Sequence, residues 1–408
     1  MQTDTDILIA GGGIAGLTLA LALASGGFHC ILCDPLPVET RAAPDFDGRA
    51  YAIAASCQRM LAALGIWEAI AARSQPMLDI VVTDGRPGEA PAPWFLHFDS
   101  REGEEGPFAH MVEDRYLRFA LLAHLARTPA VTHLAPASLA DHRVEPGGVR
   151  AVLADGREIT ARSLVACDGR RSAIAARAGI DYVSWDYHQM GLVSAVEHER
   201  PHEGVAHEYF LPAGPFAILP LPGNRVSLVW TERPAEAAAI HALPDAGYHS
   251  EIRRRFGSFL GETRLAGRRW IYPLGLALAQ SWVRPRLALL GDAAHGIHPL
   301  AGQGLNLGLK DVAALAEVLV EANRRGEDIG ALDVLERYQA WRRFDSVAVA
   351  LACDGLNRLF SNDDPVLRRV RDRGLDLVGR IGPARRFFMR VAAGVAGDVP
   401  RLLRGLPL

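Results

Sequence analysis

The chain commits to an architecture within its first 34 residues. Ile7 to Ala10 is a short apolar run, Gly11-Gly-Gly-Ile-Ala-Gly16 a turn, Leu17 to Ser25 a helical stretch, and Cys30 to Leu32 a second run ending in Asp34. A G-x-G-x-x-G pattern between strand and helix, with an acid roughly 20 residues further on, specifies a parallel β-α-β unit that accepts a dinucleotide. Gly11 serves the tight turn, Gly13 the approach of backbone to a pyrophosphate, and Gly16 the close packing of helix on strand. Ile14 and Ala15, between the glycines, share that approach, and Asp34 is placed to hold ribose hydroxyls. Nicotinamide and flavin dinucleotides are both bound this way, so the pattern constrains the fold before it constrains the chemistry.

A second stretch narrows the choice. Leu287 to Leu290 is an unbroken apolar run, as in a strand buried on both faces, and it stops at Gly291-Asp292. Asp292 at a strand's carboxyl end lies where open α/β sheets bind ligands, although an aspartate there can equally serve as a turn or cap. Leu305, Leu309, Val312, Leu315 and Leu319 then recur at helical spacing, which predicts a helix beginning near Gly304. Gly302, Gln303 and Gly304 precede or open it, and its free N–H groups and dipole favour negative charge at that end. A reduced flavin carries its charge at such an edge.

Gly291-Asp292, then His298-Pro-Leu-Ala-Gly-Gln-Gly-Leu-Asn-Leu-Gly closing with Asp311, resembles the flavin-ring segment of FAD-dependent aromatic hydroxylases, the group A flavoprotein monooxygenases. The wording is most similar to the ubiquinone-biosynthesis hydroxylase branch. The resemblance extends to Gly48-Arg49, the Leu-Gly-Ile-Trp ending at Trp67, Asp168-Gly169, and Gly214-Pro-Phe-Ala-Ile-Leu-Pro-Leu221. It implies cofactor contacts from Arg49, Asp168, Gly169 and Asn306. Where relatives carry an Arg, Asn or Gln near the start of a helix, this chain has Asp114, with Arg115 and Arg118 nearby, and Arg118 is the candidate contact. For Arg49 and Arg118 the plainer reading is a solvated charge. Phe216, Ile218 and Pro220 are the substrate-pocket candidates, against ordinary sheet core.

The implied fold is α/β: a Rossmann-like FAD-binding domain, an interleaved antiparallel-sheet substrate domain and a C-terminal helical region, para-hydroxybenzoate-hydroxylase-like. The expected division is FAD-binding at 1–75, 108–180 and 276–345, substrate domain at 76–107 and 181–275, and C-terminal helices at 346–408. Residues 182 to 275 read as strands and turns, with one charged helix near 245 to 256.

Composition bounds the rest. At 408 residues, 49% hydrophobic and 22% charged, the chain has ample core, and a net charge of −3 argues against nucleic acid. Five cysteines do not make a secreted disulfide framework, and Cys30 and Cys33 belong to a strand rather than a redox pair. Residues 7 to 33 lack formal charge, but Gly11, Gly12, Gly13 and Gly16 interrupt them and Asp4 and Asp6 replace a signal's basic flank, so neither a membrane span nor a leader is read there. The expected location is cytoplasmic, with peripheral attachment to the inner membrane as the alternative the tail raises. From Val366 to Leu408 ten arginines face three acids, and Leu375, Leu377, Val378, Phe387, Phe388 and Met389 interleave with them. That surface suits anionic lipid, another ubiquinone-biosynthesis protein, or its own domain.

The resemblance implies a reaction in which NAD(P)H or another donor reduces FAD, O2 adds at flavin C4a, and the hydroperoxyflavin's distal oxygen attacks a lipophilic prenylated phenol or quinone precursor. The flavin would carry the hard step. No metal motif, nucleophile elbow or carboxylate pair is visible in the sequence. Pro299 would stand near the ring, and His295 and His298 are acid-base candidates, with orientation of the loop the plainer role. Two other readings stay open. A catabolic hydroxylase of small phenols or benzoates should carry a pocket arginine, and residues 207 to 230 offer only Arg225 in a turn. A flavin-binding scaffold without turnover would retain the cofactor motifs and lack phenol-dependent oxidation of NAD(P)H. A halogenase would need an active-site lysine, whereas Lys310 falls inside the helix.

Overall fold

The computed structural model describes residues 3–88, 95–102, 106–362 and 397–408. Strand β1 (Thr5–Ala10), helix α1 (Ile14–Ser25) and strand β2 (Cys30–Cys33) form the opening unit, the strands parallel with Ile9 opposite Leu32. Helix α1 starts three residues before the expected Leu17, because Gly13 supplies an extended backbone at its amino end. The short turn α2 (Val38–Arg41) follows, then β3 (Ala50–Ala54), α3 (Ala55–Ala63), β4 (Ser74–Met77), β5 (Asp79–Asp84), β6 (Phe95–Asp99) and β7 (Ala109–Glu113). Next come α4 (Asp114–Leu125), β8 (Val131–Leu134), β9 (Leu139–Glu145), β10 (Gly148–Leu153), β11 (Glu158–Ala166) and α5 (Ala173–Arg177). The remainder holds β12 (Tyr182–His198), β13 (Val205–Leu211), β14 (Gly214–Leu221), β15 (Arg225–Glu232), α6 (Pro234–His241), α7 (Asp245–Phe256) and β16 (Thr263–Ala279). It closes with β17 (Val283–Arg284), β18 (Leu287–Leu289), β19 (His295–Gly296), α8 (Gln303–Arg324) and α9 (Leu332–Phe360).

The first sheet runs β17-β18-β11-β1-β2-β8, parallel from β18 to β8. Ile7, Leu8, Ile9, Leu164, Val165, Leu287 and Leu289 are fully buried in it, which is why these strands read as continuous apolar runs rather than alternating ones. Cys30 and Cys33 are buried there as free thiols. A hairpin about Asp155-Gly156 joins β10 to β11 antiparallel. A small sheet of β3, β7 and β4 packs against β14.

The second large sheet runs β19-β16-β12-β15-β14-β13-β5-β6. One face packs under α6 and α7, where Phe216, Ile218, Leu228 and Trp230 meet Tyr248, Ile252 and Phe256. Its other face lines a cavity. Helix α6 was not expected; Pro234 opens it and Ala237 and Ile240 bury one side, but its alanine-rich sequence gives little amphipathic signal.

Three expected boundaries are crossed by unbroken elements. Strand β4 passes through 75/76, β16 through 275/276 and α9 through 345/346. Of the basic tail, arginines 368, 369, 371, 373, 380, 385, 386 and 390 and the apolar residues between them lie outside the described residues. The final segment is described: Leu402 and Leu403 are buried in the main core, and Glu317 accepts the Arg401 N–H at 2.6 Å.

Gly16 shows how tightly the opening unit is assembled, since a Cβ there would overlap the Gly11 carbonyl oxygen, a backbone atom that has nowhere to go. Gly16→Ala is expected to lower unfolding free energy by about 3 kcal/mol through overpacking, measured by denaturant unfolding.

Candidate active site

Two helix amino ends open on the same cavity, and neither carries a side-chain cap. One is α1 behind Gly13; the other is α8 behind Gly302, whose φ of 62° is the left-handed turn that admits the helix. A Cβ on Gly13 or on Gly304 would meet nothing within 4 Å, so both positions face open space with N–H groups nearby. Gly308 on α8 crosses Gly291 at the end of β18 so closely that a Cβ on it would stand 3.4 Å from the Gly291 Cα. The cavity is about 1550 Å³ and extends from these ends to the second sheet. Gly13, Ile14, Ala15, Gly291, Gly302, Gln303 and Gly304 border it, as do Arg49, Arg118, Gly169, Asp292 and Pro299. Uncapped amino ends aimed into a long cavity suit an anionic dinucleotide with a flat ring.

A fully buried aspartate holds the loop between β18 and α8. Asp311 accepts the Gly291 N–H at 3.2 Å, His295 Nε2 at 2.5 Å and Arg342 Nε at 3.0 Å. Arg342 also donates to Asp345 at 2.8 Å and Ser346 at 3.1 Å. His295, offered by the sequence as an acid-base candidate, is therefore a buried strut of the loop. Arg342 was missed, because one arginine in an amphipathic helix carries no local signal.

Asp114 explains the departure from the family pattern. It accepts Arg118 Nη2 at 2.7 Å, Tyr51 Oη at 2.8 Å and Arg49 Nη2 at 3.3 Å. Burial pushes its carboxyl up, but the Arg118 and Arg49 guanidiniums and the Tyr51 hydroxyl more than offset this and hold it below the ordinary range. It thus fixes two cations at the cavity wall, and buried Arg118 Nη1 is left with no partner among the described residues. An orphaned guanidinium nitrogen beside the cavity is the expected mark of a missing acceptor.

Several sequence candidates have other tasks. Gly11 and Gly16 face protein rather than the cavity. Asp34 is buried and takes Arg41 through both oxygens at 2.8 and 2.9 Å, besides the Leu36 N–H. Asp168 accepts the Ile174 N–H at 3.3 Å and steadies α5. The Asn306 carboxamide is spent on Ala52, Ala54 and Gly302 backbone, stapling α8 to β3. His298 is buried against Tyr187, its Nδ1 accepting the Leu300 N–H at 3.2 Å, so it orients the loop. Phe216 and Ile218 point into the core under α7, and Pro220 does not border the cavity. Strand alternation gives that role to Pro215, Ala217 and Leu219 instead, one residue out of phase.

Fold and site together define an FAD-dependent monooxygenase of the aromatic-hydroxylase class. The solved structure of p-nitrophenol 4-monooxygenase PnpA from Pseudomonas putida superposes with a TM-score of 0.80 over 98% of this chain and 100% of that one, at 20% identity, which establishes the shared fold. The chain belongs to the family described as FAD binding domain, whose pattern matches residues 4–350. It is similar to ubiquinone hydroxylase UbiL of Rhodospirillum rubrum, 49% identical over 99% of this chain and 93% of that one. It is also similar to 3-demethoxyubiquinol 3-hydroxylase of Escherichia coli, 36% identical over 96% of this chain and 99% of that one.

Burial, helped by Arg170, lowers the His298 pKa from 6.5 to about 4. A depressed folded value contributes stability above about pH 6.5 that is lost as pH falls towards about 4. Denaturant unfolding followed across that window is expected to show the loss, with a shallower decline for His298→Asn, which keeps an acceptor for Leu300.

Proposed function

We propose that this protein hydroxylates the aromatic ring of a prenylated phenol in ubiquinone biosynthesis. The observation that carries the reading is one continuous cavity with a dinucleotide cradle at one end and an apolar sheet face at the other. Two similar proteins named as a ubiquinone hydroxylase and a demethoxyubiquinol hydroxylase support it. Exposed Phe344, Leu356 and Leu359 on α9 border the same cavity, which suits an isoprenoid tail entering along that helix. A benzoate-type substrate would call for a free guanidinium in the sheet, whereas Arg225 is engaged by Glu113 at 3.2 Å and stacks on Phe46.

In this reading the α1 amino end behind Gly13 receives the pyrophosphate, and Asp34 receives the adenosine ribose once Arg41 yields it. Arg118 and Arg49 supply charge along the cofactor, Asp292 its sugar-alcohol contact, and the α8 amino end at Gly302 to Gly304 meets the ring's anionic edge. Gly169 leaves backbone room, and Pro299 stands by the ring. Bound FAD supplies oxygen activation, with electrons from NAD(P)H or another donor. The apolar walls keep water from the reacting centre, and that exclusion protects reactive species from side reactions. The cofactor parts fall at 1–75, 108–180 and 276–345, and the substrate parts at 76–107 and 181–275, with β4 and β16 shared. Among the described residues no helix is long and apolar enough to cross a membrane, and attachment to a membrane surface is part of the proposal for delivering a lipophilic substrate.

Two outcomes test this. Mass-spectrometric quinone profiling of a strain lacking the gene should reveal one under-hydroxylated prenylated intermediate; an unchanged quinone pool would overturn the pathway assignment. In FAD titrations of apoprotein, Arg118→Met should weaken binding by about 2 kcal/mol, the typical loss of a hydrogen bond from a charged group, with circular dichroism confirming the fold.

A further inference from the structure

One residue in the apolar half of the cavity does not belong there on hydrophobic grounds. Across the second sheet, Leu96, Val82, Glu208, Ala217, Val229, Val193 and Trp270 stand in register on neighbouring strands from β6 to β16. All seven border the cavity, and Glu208 alone is ionisable. Along β13 its same-face neighbours Ala206 and Phe210 are apolar and border the cavity too. Facing this end of the sheet, α9 contributes Val349, Cys353 and Phe360, the last stacked on Phe210 at 4.1 Å between ring centres. No described residue pairs with the Glu208 carboxyl, in contrast to the buried acids Asp114, Glu232 and Asp311, each of which holds an arginine.

An unpaired carboxyl inside an apolar wall is costly to the fold and is usually kept for a ligand. We propose that Glu208 is the residue that recognises the substrate's ring hydroxyl and acts as its base. This deepens the proposed function and rests on it. The carboxylate accepts the hydroxyl proton: the phenolic O–H bond breaks, a carboxyl O–H bond forms, and the electron pair stays on the ring as phenolate, raising electron density at the ring carbon to be hydroxylated. No oxidant enters this step. Burial alone moves the Glu208 pKa, from 4.5 up to about 8, within reach of a phenol near 10. Cys353 is the titratable group that faces it from α9, and burial lifts that thiol to about 11, so it stays neutral. Val82 on β5 and Ala217 on β14 bring no charge.

The test compares wild type with Glu208→Gln, both as FAD holoenzyme, reduced by one equivalent of dithionite and mixed with oxygen and a farnesyl-substituted phenol. The variant should bind FAD as wild type does yet hydroxylate the probe about 100-fold more slowly, the scale of a lost general base. Wild-type rates should rise with pH through about 8, and the variant should lack that limb. Independently of turnover, infrared spectra of wild type should show a carboxylic C=O band lost over the same pH range and missing from the variant. A variant that hydroxylates at the wild-type rate with the same pH profile overturns the role of Glu208 alone. A wild-type holoenzyme that hydroxylates no prenylated phenol overturns the proposed function, and this inference falls with it.

Discussion

The carboxylate of Asp311 is the constraint on which the site's geometry turns. A charge with no access to water must be met by donors, and here the donors come from the Gly291 backbone, from the His295 ring in the following loop, and from Arg342 on α9. Breaking one partner of such a group typically costs several kcal/mol, so the three segments are bound to one arrangement. The glycines at 302 and 304, which would otherwise make the loop loose, are held at the cavity by this buried anchor. The bare N–H groups where the backbone is thinnest are thereby held facing the cavity.

The cofactor half was legible because its signals are local. A glycine turn between a buried strand and a helix constrains neighbouring residues, so the β1-α1-β2 unit and the β18-to-α8 passage came out within a few residues of their true bounds. The loop's histidines were a different matter. Sequence shows that His295 and His298 are present, whereas only packing shows that one is met by Asp311 and the other by the Leu300 N–H.

The sheet half was less legible for a reason of parity. Segment 214–221 is apolar on both faces, since one packs under α7 and the other lines a cavity, so alternation carries no hint of which is which. Choosing Phe216 and Ile218 meant choosing the larger side chains, and those fill the core; the cavity is left to small Ala217 and to Pro215 and Leu219. Glu208 escaped notice for the complementary reason, because a charged residue in a strand reads as solvent-facing until the partner strands are known. Asp114 looked like a lost contact and is instead the counter-charge that arranges Arg118 and Arg49.

Strand β16 spans 17 residues, pairing at its start with the far end of β12 and at its finish with the short strand His295–Gly296 in the loop between β18 and α8. A single beam thus joins the apolar wall of the cavity to the loop that leads into α8. Because strands advance about 3.3 Å per residue and turn their side chains over at each step, one inserted residue in β16 would displace and invert one partner relative to the other. The two halves of this chain are therefore not independent modules. Substitutions along the sheet face leave that register intact, whereas a change in the length of that strand does not.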